Sequence, residues 1–321
     1  MSEKIKLHCM YTTNFEPMLI RFLSGLEDIT DININNLSEL QKQISGLGGG
    51  HNLWLFKINL LCDLADPSKN KTDIINLITD IDLAIYGPLK PTISEFLQTN
   101  DIVFQSEFNQ GTEANIGVIA FRASEKVLYF WSIVKSIIES EKIWDQKAVN
   151  MVIARTSESE FSEIKTSLLP PKIWAFSQSR QLGFANCHNV ILHHANCVEN
   201  LLGKWLQLNE FSHIFRRDYS NQIYALQQVL RKYKEIEWTF GSLSLSEPYG
   251  TLKLSTNGEL IGYSHENEVR LEATQSGLYF VNGSGDCTTY FSEFYYDPIR
   301  GKLLCVGRAM QEGIYHYLFS S

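Results

Sequence analysis

The sequence predicts an α/β protein in which a mostly parallel central sheet carries helices on its faces and a small all-β domain follows. Strand-like and helix-like segments alternate along the first part of the chain, as they do in parallel sheets. At about residue 238 the pattern changes to short alternating runs separated by turns. The length of 321 residues and the hydrophobic fraction of 44% suffice for a sizeable core. We therefore expect two domains, residues 1–237 and 238–321.

The first segments alternate regularly between strand and helix. Residues 5–13 predict a strand, NFEPMLIRFLSGL has the apolar spacing of a helix, and DININNL alternates like a half-buried strand. HNLWLFKINLLCDLAD predicts a second helix, and a buried strand follows that ends at Asp80. This order is typical of a parallel sheet with crossover helices.

The later segments continue this pattern before the texture changes. DIVFQSE and NIGVIAFRA predict strands, SEKVLYFWSIVKSIIES a helix that Ser124 opens, and WDQKAVNMVIAR another helix. The apolar run NVILHHAN and a polar helix over about 219–235 come next. Beyond them, Asn257-Gly258 and Asn282-Gly283 mark turns, so we expect a succession of hairpins.

Charge and hydropathy exclude two classes of partner. The net charge of −8 and the pI near 5.5 argue against a nucleic-acid binder, which needs a basic face. No apolar run approaches the length of about 18 residues that a membrane helix requires, and the N-terminus lacks a signal-peptide core. The six cysteines are scattered, as expected of reduced thiols. We expect a cytoplasmic protein without a transmembrane segment.

Two carboxylates stand where the strand at residues 75–79 ends. Asp80 and Asp82 are separated by one residue and precede a Gly-Pro turn. Ligands of open α/β sheets bind beyond the carboxyl ends of strands, and paired carboxylates suit Mg²⁺ or Mn²⁺. The motif therefore predicts a metal site that can also hold a diphosphate; the alternative is a solvated loop.

Five blocks occur in order along the chain: TDIDLAIYGPLKP, NDIVFQSE, ANIGVIAFRA, WDQKAVN and VILHHANCVENLLGKW. This set resembles the nucleotide-diphospho-sugar transferases of the GT-A fold, specifically retaining family 77 and the related family 8, over residues 5–210 or so. The resemblance implies a GT-A catalytic domain, a UDP-sugar donor of galactose or xylose type and a divalent metal, Mn²⁺ or Mg²⁺. It also implies transfer, with retained anomeric configuration, to a hydroxyl of a glycan or glycoconjugate acceptor.

The resemblance assigns the metal to three residues and the donor phosphates to a fourth. Asp80, Asp82 and His194 match the metal ligands, with Asp82 the more direct ligand and Asp80 shared with the ribose. Lys204 matches the lysine at the phosphates, where an ammonium neutralises charge on the departing UDP. Asn196 falls near the donor.

Seven further positions match residues around the donor: Thr12, Thr13, Lys57, Asn115, Gly117, Asp145 and Gln146. Gly117 is expected to let a ligand approach the backbone closely. Asp145 and Gln146 match the pair at the reaction centre and, with Lys204, are the expected catalytic residues. Thr12 and Thr13 fall at the nucleotide.

The resemblance also implies largely electrostatic catalysis, with the acceptor attacking from the face that the diphosphate leaves. A double displacement would instead need a carboxylate nucleophile below the anomeric carbon. Asp145 is the first candidate for that role and Glu107 the second.

A structural zinc site is an alternative use of five crowded residues: Cys187, His188, His193, His194 and Cys197. Their spacing is irregular, whereas zinc sites commonly pair their ligands at fixed short intervals. Adjacent residues of a strand point to opposite faces, so only one of the two neighbouring histidines can face the metal. The His-Ala-Asn match favours His194 over His193.

The C-terminal domain is rich in aromatic residues: Tyr249, Tyr263, Tyr279, Phe280, Tyr290, Phe291, Phe294, Tyr295 and Tyr296. These rings either form the core of a small sandwich or stack on the sugars of a bound glycan acceptor. The domain could equally mediate self-association into a homo-oligomer. The alternative to a transferase is a non-catalytic, lectin-like glycan-binding protein that retains the GT-A fold.

Overall fold

The computed structural model describes residues 3–39, 49–107, 112–155, 163–176, 189–196, 198, 200–210, 212, 220–311 and 313–321. Its contacts divide the chain into two compact units. The first comprises Met1–Thr13 and Leu26–Cys197, and the second Asn14–Gly25 and Val198–Ser321. The second unit's sheet begins at Trp238, and the expected domains, residues 1–237 and 238–321, stay a prediction.

A nine-stranded sheet forms the centre of the first unit, in the order β2-β1-β3-β6-β5-β8-β9-β4 with β7 beside β5. Its strands are β1 (Lys4–Tyr11), β2 (Asp31–Asn36), β3 (Ile74–Thr79), β4 (Leu83–Ile85), β5 (Ile102–Ser106), β6 (Ala114–Arg122), β7 (Thr166–Leu168), β8 (Ile173–Phe176) and β9 (Leu192–Ala195). Five of the eight strand pairings are parallel, so the predicted mostly parallel sheet is confirmed.

The predicted helices occur in the expected order, and the structure adds helices at Lys90–Phe96 and Leu201–Glu210. Helix α1 (Glu16–Ser24) belongs to the second unit, and the first unit contains α2 (Gly49–Ala65), α3 (Lys90–Phe96), α4 (Glu125–Glu141) and α5 (Asp145–Ala154). The apolar face of α4 packs with α2 and the sheet in one buried cluster. Ser124 caps α4 as predicted, since its Oγ accepts a hydrogen bond of 3.3 Å from the Val127 amide.

The second unit contains an eight-stranded antiparallel sheet in which consecutive strands are neighbours. The strands are β10 (Trp238–Ser242), β11 (Gly250–Leu254), β12 (Leu260–Ile261), β13 (Arg270–Ala273), β14 (Leu278–Val281), β15 (Cys287–Asp297), β16 (Lys302–Ala309) and β17 (Tyr315–Ser320). Helices α6 (Leu201–Glu210) and α7 (Ser220–Lys232) precede them. The predicted all-β domain is confirmed.

This sheet closes on itself instead of forming the expected sandwich. Strand β17 pairs with β10, and the two edges meet where Glu259, beside β12, bridges Arg270 of β13. The Leu260 amide donates to the Val269 carbonyl at 3.1 Å across the same seam. The result is an up-and-down barrel, an arrangement that leaves few unpaired strand edges.

Within the part of the chain that the structure describes, no helix is both long and apolar enough to span a bilayer.

Candidate active site

Three chain segments bring the predicted metal ligands together at one edge of the first sheet. Asp80 directly follows β3, Asp82 directly precedes β4, and His194 lies on β9 opposite Leu83. The ligand atoms of Asp80, Asp82 and His194 all lie within 4.8 Å of one another. Asp82 and His194 are buried, so a cation there would be largely shielded from water.

The His194 ring has one nitrogen committed to the protein and one directed at the carboxylates. Its Nδ1 lies 2.9 Å from the side-chain Oε1 of Gln105, and its Nε2 lies 3.4 Å from Asp82 Oδ1. A neutral ring with its proton on Nδ1 would direct the Nε2 lone pair at Asp82, with room for a metal ion between them, whereas a protonated ring would form an ion pair with Asp82. His193, by contrast, points the other way and stacks on Trp174, with ring centroids 4.8 Å apart.

Gly117 gives the His194 ring its space. A Cβ atom built on Gly117 would lie 2.6 Å from His194 Nδ1, inside any tolerable contact. The Gly117 carbonyl also accepts a 2.9 Å hydrogen bond from the Asp80 amide. Gly117 therefore gives the imidazole its space, and the expectation that it also lets the donor approach the backbone stays a prediction.

A buried ion pair supports the first aspartate. Lys57 Nζ, on α2, lies 2.8 Å from Asp80 Oδ1 and 3.0 Å from the Ile116 carbonyl. Burial alone would lower the pKa of Lys57, but the neighbouring carboxylates, Asp80 first, outweigh burial and raise it. Lys57 therefore stays protonated and holds Asp80, which is a more specific role than the expected donor contact.

Asp145 adds a third carboxylate to this region as the first residue of α5. Its Oδ1 accepts a 2.9 Å hydrogen bond from the Gln146 amide. Burial raises the pKa of the Asp145 carboxyl, and the Lys57 charge opposes that shift. Three carboxylates face one ammonium here, an excess of negative charge that a divalent cation would balance.

Glu107 contacts three of the expected site residues: the expected donor-binding Asn115 and Asn196 and the expected catalytic Gln146. Its Oε2 accepts hydrogen bonds from Asn115 Nδ2 at 2.6 Å and Gln146 Nε2 at 3.1 Å, and its Oε1 accepts one from Asn196 Nδ2 at 3.0 Å. Asn115 Oδ1 in turn accepts from the Gly117 amide at 2.7 Å, which fixes the orientation of the Asn115 amide. Glu107 is buried, and both of its oxygens are engaged.

Sequence reasoning gave Glu107 too small a role and missed Gln105. Gln105 lies at the end of β5 and Glu107 directly follows that strand, both in the block NDIVFQSE. Polar side chains at the carboxyl end of a buried strand are the signal that could have found them, because functional groups collect at that edge of α/β sheets.

Comparison with known families agrees with this geometry. Residues 70–208 match the family model described as nucleotide-diphospho-sugar transferase, and this segment contains the whole metal-ligand cluster. The resemblance to the nucleotide-diphospho-sugar transferases is thus confirmed. No curated protein sequence gives a significant match to the chain. Among solved structures, mouse xyloside xylosyltransferase 1 in its apo form matches with 12% identity and a TM-score of 0.38, covering 60% of this chain and 98% of that one.

Three other positions expected for a nucleotide-diphospho-sugar transferase are Thr12 and Thr13 in the first unit and Lys204 in the second. Thr12 and Thr13 follow β1, which runs parallel to β3, so they lie at the same sheet edge as Asp80. The Thr13 amide donates to Ser38 Oγ at 2.7 Å. Lys204 lies on α6 in the second unit, and its assignment to the donor phosphates stays a prediction.

The alternative zinc site falls mostly outside the described residues. Cys187, His188 and Cys197 are not among them. His193 stacks on Trp174, and His194 belongs to the aspartate cluster. The described residues therefore do not test the zinc site, and among them the possible metal ligands that lie together are Asp80, Asp82 and His194.

Proposed function

We propose that this protein is a metal-dependent, retaining glycosyltransferase. It would move a galactose or xylose type sugar from a UDP-sugar to a hydroxyl of a glycan or glycoconjugate. The observation that carries the proposal is the convergence of Asp80, Asp82 and His194 at the strand ends of a segment that matches the nucleotide-diphospho-sugar transferases.

The residues present fit a divalent metal. Two carboxylates and an imidazole suit Mn²⁺ or Mg²⁺, and His194 Nε2 lies 3.4 Å from the Asp82 carboxylate. When bound, such an ion would supply electrostatic stabilisation of the diphosphate leaving group.

The other side chains would order the donor site. Lys57 holds the Asp80 carboxylate in place. Glu107 orients the amides of Asn115, Gln146 and Asn196, so it acts as a positioning residue. Because three amide groups hold its two oxygens, Glu107 is better suited to position these side chains than to attack an anomeric carbon. Attack by the acceptor from the leaving-group face is the route that we propose, and Asp145 is the candidate nucleophile of the alternative double displacement.

Release of UDP tests this function. The full-length protein is incubated with UDP-galactose or UDP-xylose, with Mn²⁺ or with EDTA, and UDP is quantified. We expect Mn²⁺-dependent release, even with water as acceptor. Asp82→Asn should reduce release by about a hundredfold or more, since even outer-shell partners of metals cost 10- to 100-fold.

Asp73→Asn is the matched control, because Asp73 is exposed and precedes β3 at its other end. It should release UDP like the unmodified protein. No UDP release with either donor, together with glycan binding, would favour the non-catalytic, lectin-like alternative.

A further inference from the structure

The barrel of the second unit contains a cavity of about 480 Å³ at one mouth. At this end of the barrel, four strands end and four begin. Those that end are β10, β12, β14 and β16, and those that begin are β11, β13, β15 and β17. The lining residues come from these strand ends and from the connections between them. Small closed barrels commonly hold one small ligand in this position.

Two tyrosine rings supply flat apolar surface in the cavity. Tyr249 and Tyr263 both pack on Phe240, with ring centroids 5.1 and 5.2 Å away. Tyr249 also meets the His316 ring at 5.8 Å, yet it stays 42% exposed. Rings that a core holds in place and that remain accessible are suited to stack on the apolar face of a sugar.

A buried carboxylate lies beside these rings. Glu268 is 6% exposed although it lines the cavity. Its Oε2 lies 2.7 Å from His265 Nδ1. A carboxylate held in this way retains lone pairs for the hydroxyl groups of a ligand.

The other polar groups are neutral or acidic. His316 Nδ1 is hydrogen-bonded to Thr289 Oγ1 at 2.8 Å, and burial lowers the pKa of His316 to about 4, so the ring is neutral at pH 7. Asn282 and Asp286 add an amide and a second carboxylate at the rim. No lysine or arginine is among the described residues that line the cavity, which disfavours anionic ligands.

We propose that this barrel cavity is a binding site for a neutral saccharide. The combination of accessible tyrosine rings, a fixed carboxylate, amides and a neutral imidazole offers both stacking and hydrogen bonds to hydroxyl groups. The proposal is separate from sugar transfer, because it concerns residues of the second unit alone and requires neither donor nor metal.

Saturation-transfer NMR on the full chain, without nucleotide and with EDTA, tests the proposal. The probes are galactose, glucose, xylose, lactose and cellobiose, with glucuronic acid as an anionic probe. We expect saturation transfer to at least one neutral sugar and weaker or no transfer to glucuronic acid. Absence of transfer to every neutral sugar, or a preference for the anionic probe, would overturn the proposal.

Variants locate the binding. Glu268→Gln should weaken the affinity about tenfold or more, as expected for loss of a charge-assisted hydrogen bond. Tyr249→Ala removes an accessible ring and should also weaken the affinity about tenfold or more. If Glu268→Gln impairs folding, the affinity of Tyr249→Ala tests the proposal by itself. Glu272→Gln is the control, because Glu272 bonds the Tyr279 hydroxyl and Arg270 and is not among the lining residues. Equal affinities of Tyr249→Ala and the control would place the sugar elsewhere.

Discussion

Replacement of Glu107 by Gln is the sharpest test of how the site is organised. Gln has nearly the same shape as Glu but exchanges one carboxylate oxygen for an NH₂ group and removes the charge. The Glu107 carboxylate accepts three amide hydrogen bonds, from Asn115, Gln146 and Asn196. A Gln carbonyl in the Oε2 position would retain the first two. Its NH₂ group would then face the NH₂ group of Asn196.

The expected cost follows from these contacts. A buried amide left unsatisfied costs about 1–3 kcal/mol, and two charge-assisted bonds that become neutral lose about half their strength. The total is roughly 2–4 kcal/mol, which corresponds to a fall in Tm of roughly 3–6 °C for a chain of 321 residues. Misplacement of the Gln146 and Asn196 side chains should also lower kcat for donor hydrolysis, by up to about a hundredfold.

Differential scanning calorimetry and the UDP-release assay measure the two effects. Glu113→Gln is the control, because Glu113 is exposed and bonds Glu107 only through its own backbone carbonyl. If Glu107→Gln and Glu113→Gln had the same Tm and hydrolysed donor equally fast, the Glu107 carboxylate would not organise the site. A lower kcat with unchanged Mn²⁺ affinity would fit a positioning role.

Three further predictions follow from buried contacts. Gly117→Ala should weaken Mn²⁺ binding in calorimetric titration, because the added methyl group displaces the His194 ring; unchanged affinity would contradict the ligand assignment. Ser124→Ala should lower the free energy of unfolding in urea by about 1 kcal/mol, and Ser124→Asp should not. Burial lowers the pKa values of His8 and His316 to about 4, so between pH 6.5 and 4 the unfolded chain binds more protons than the folded one. Stability to urea should therefore fall on acidification through that range, by up to about 3 kcal/mol per histidine, and His316→Asn should lessen the fall.

The sequence predicted those parts of the site that depend on local pattern. Asp80 and Asp82 could be placed at a sheet edge because a buried strand runs directly into them. The alternation of strand residues separated His193 from His194, and the structure directs them to different surroundings. The start of α4 was equally local, since Ser124 precedes an amphipathic run.

Contacts between distant segments could not be predicted in this way. The ion pair of Lys57 with Asp80 spans 23 residues and exists because α2 crosses the sheet at that point. The three amides that bond Glu107 come from three other segments of the chain, and no local pattern in any of these segments predicts the contact. The barrel is closed by a short contact between β12 and β13. This contact involves too few residues to produce a sequence pattern that distinguishes a barrel from a sandwich.

The position of α1 shows most clearly why residue 237 is not a safe place to cut the chain. The amphipathic spacing of α1 predicts that one of its faces is buried but not which element covers that face. In the structure, α1 packs against β15 of the second unit. Arg21 of α1 stacks on Trp205, with its Cζ 4.4 Å from the ring centroid, and Glu16 pairs with Arg300 at 2.7 Å. A chain that ends at residue 237 would lack β15 and Arg300 and would expose the face of α1 that they cover, so we expect it to be insoluble. If the truncated chain were soluble and active, another part of residues 1–237 would have to bury the apolar face of α1. Point variants such as Glu268→Gln therefore test the barrel's role more cleanly than its removal.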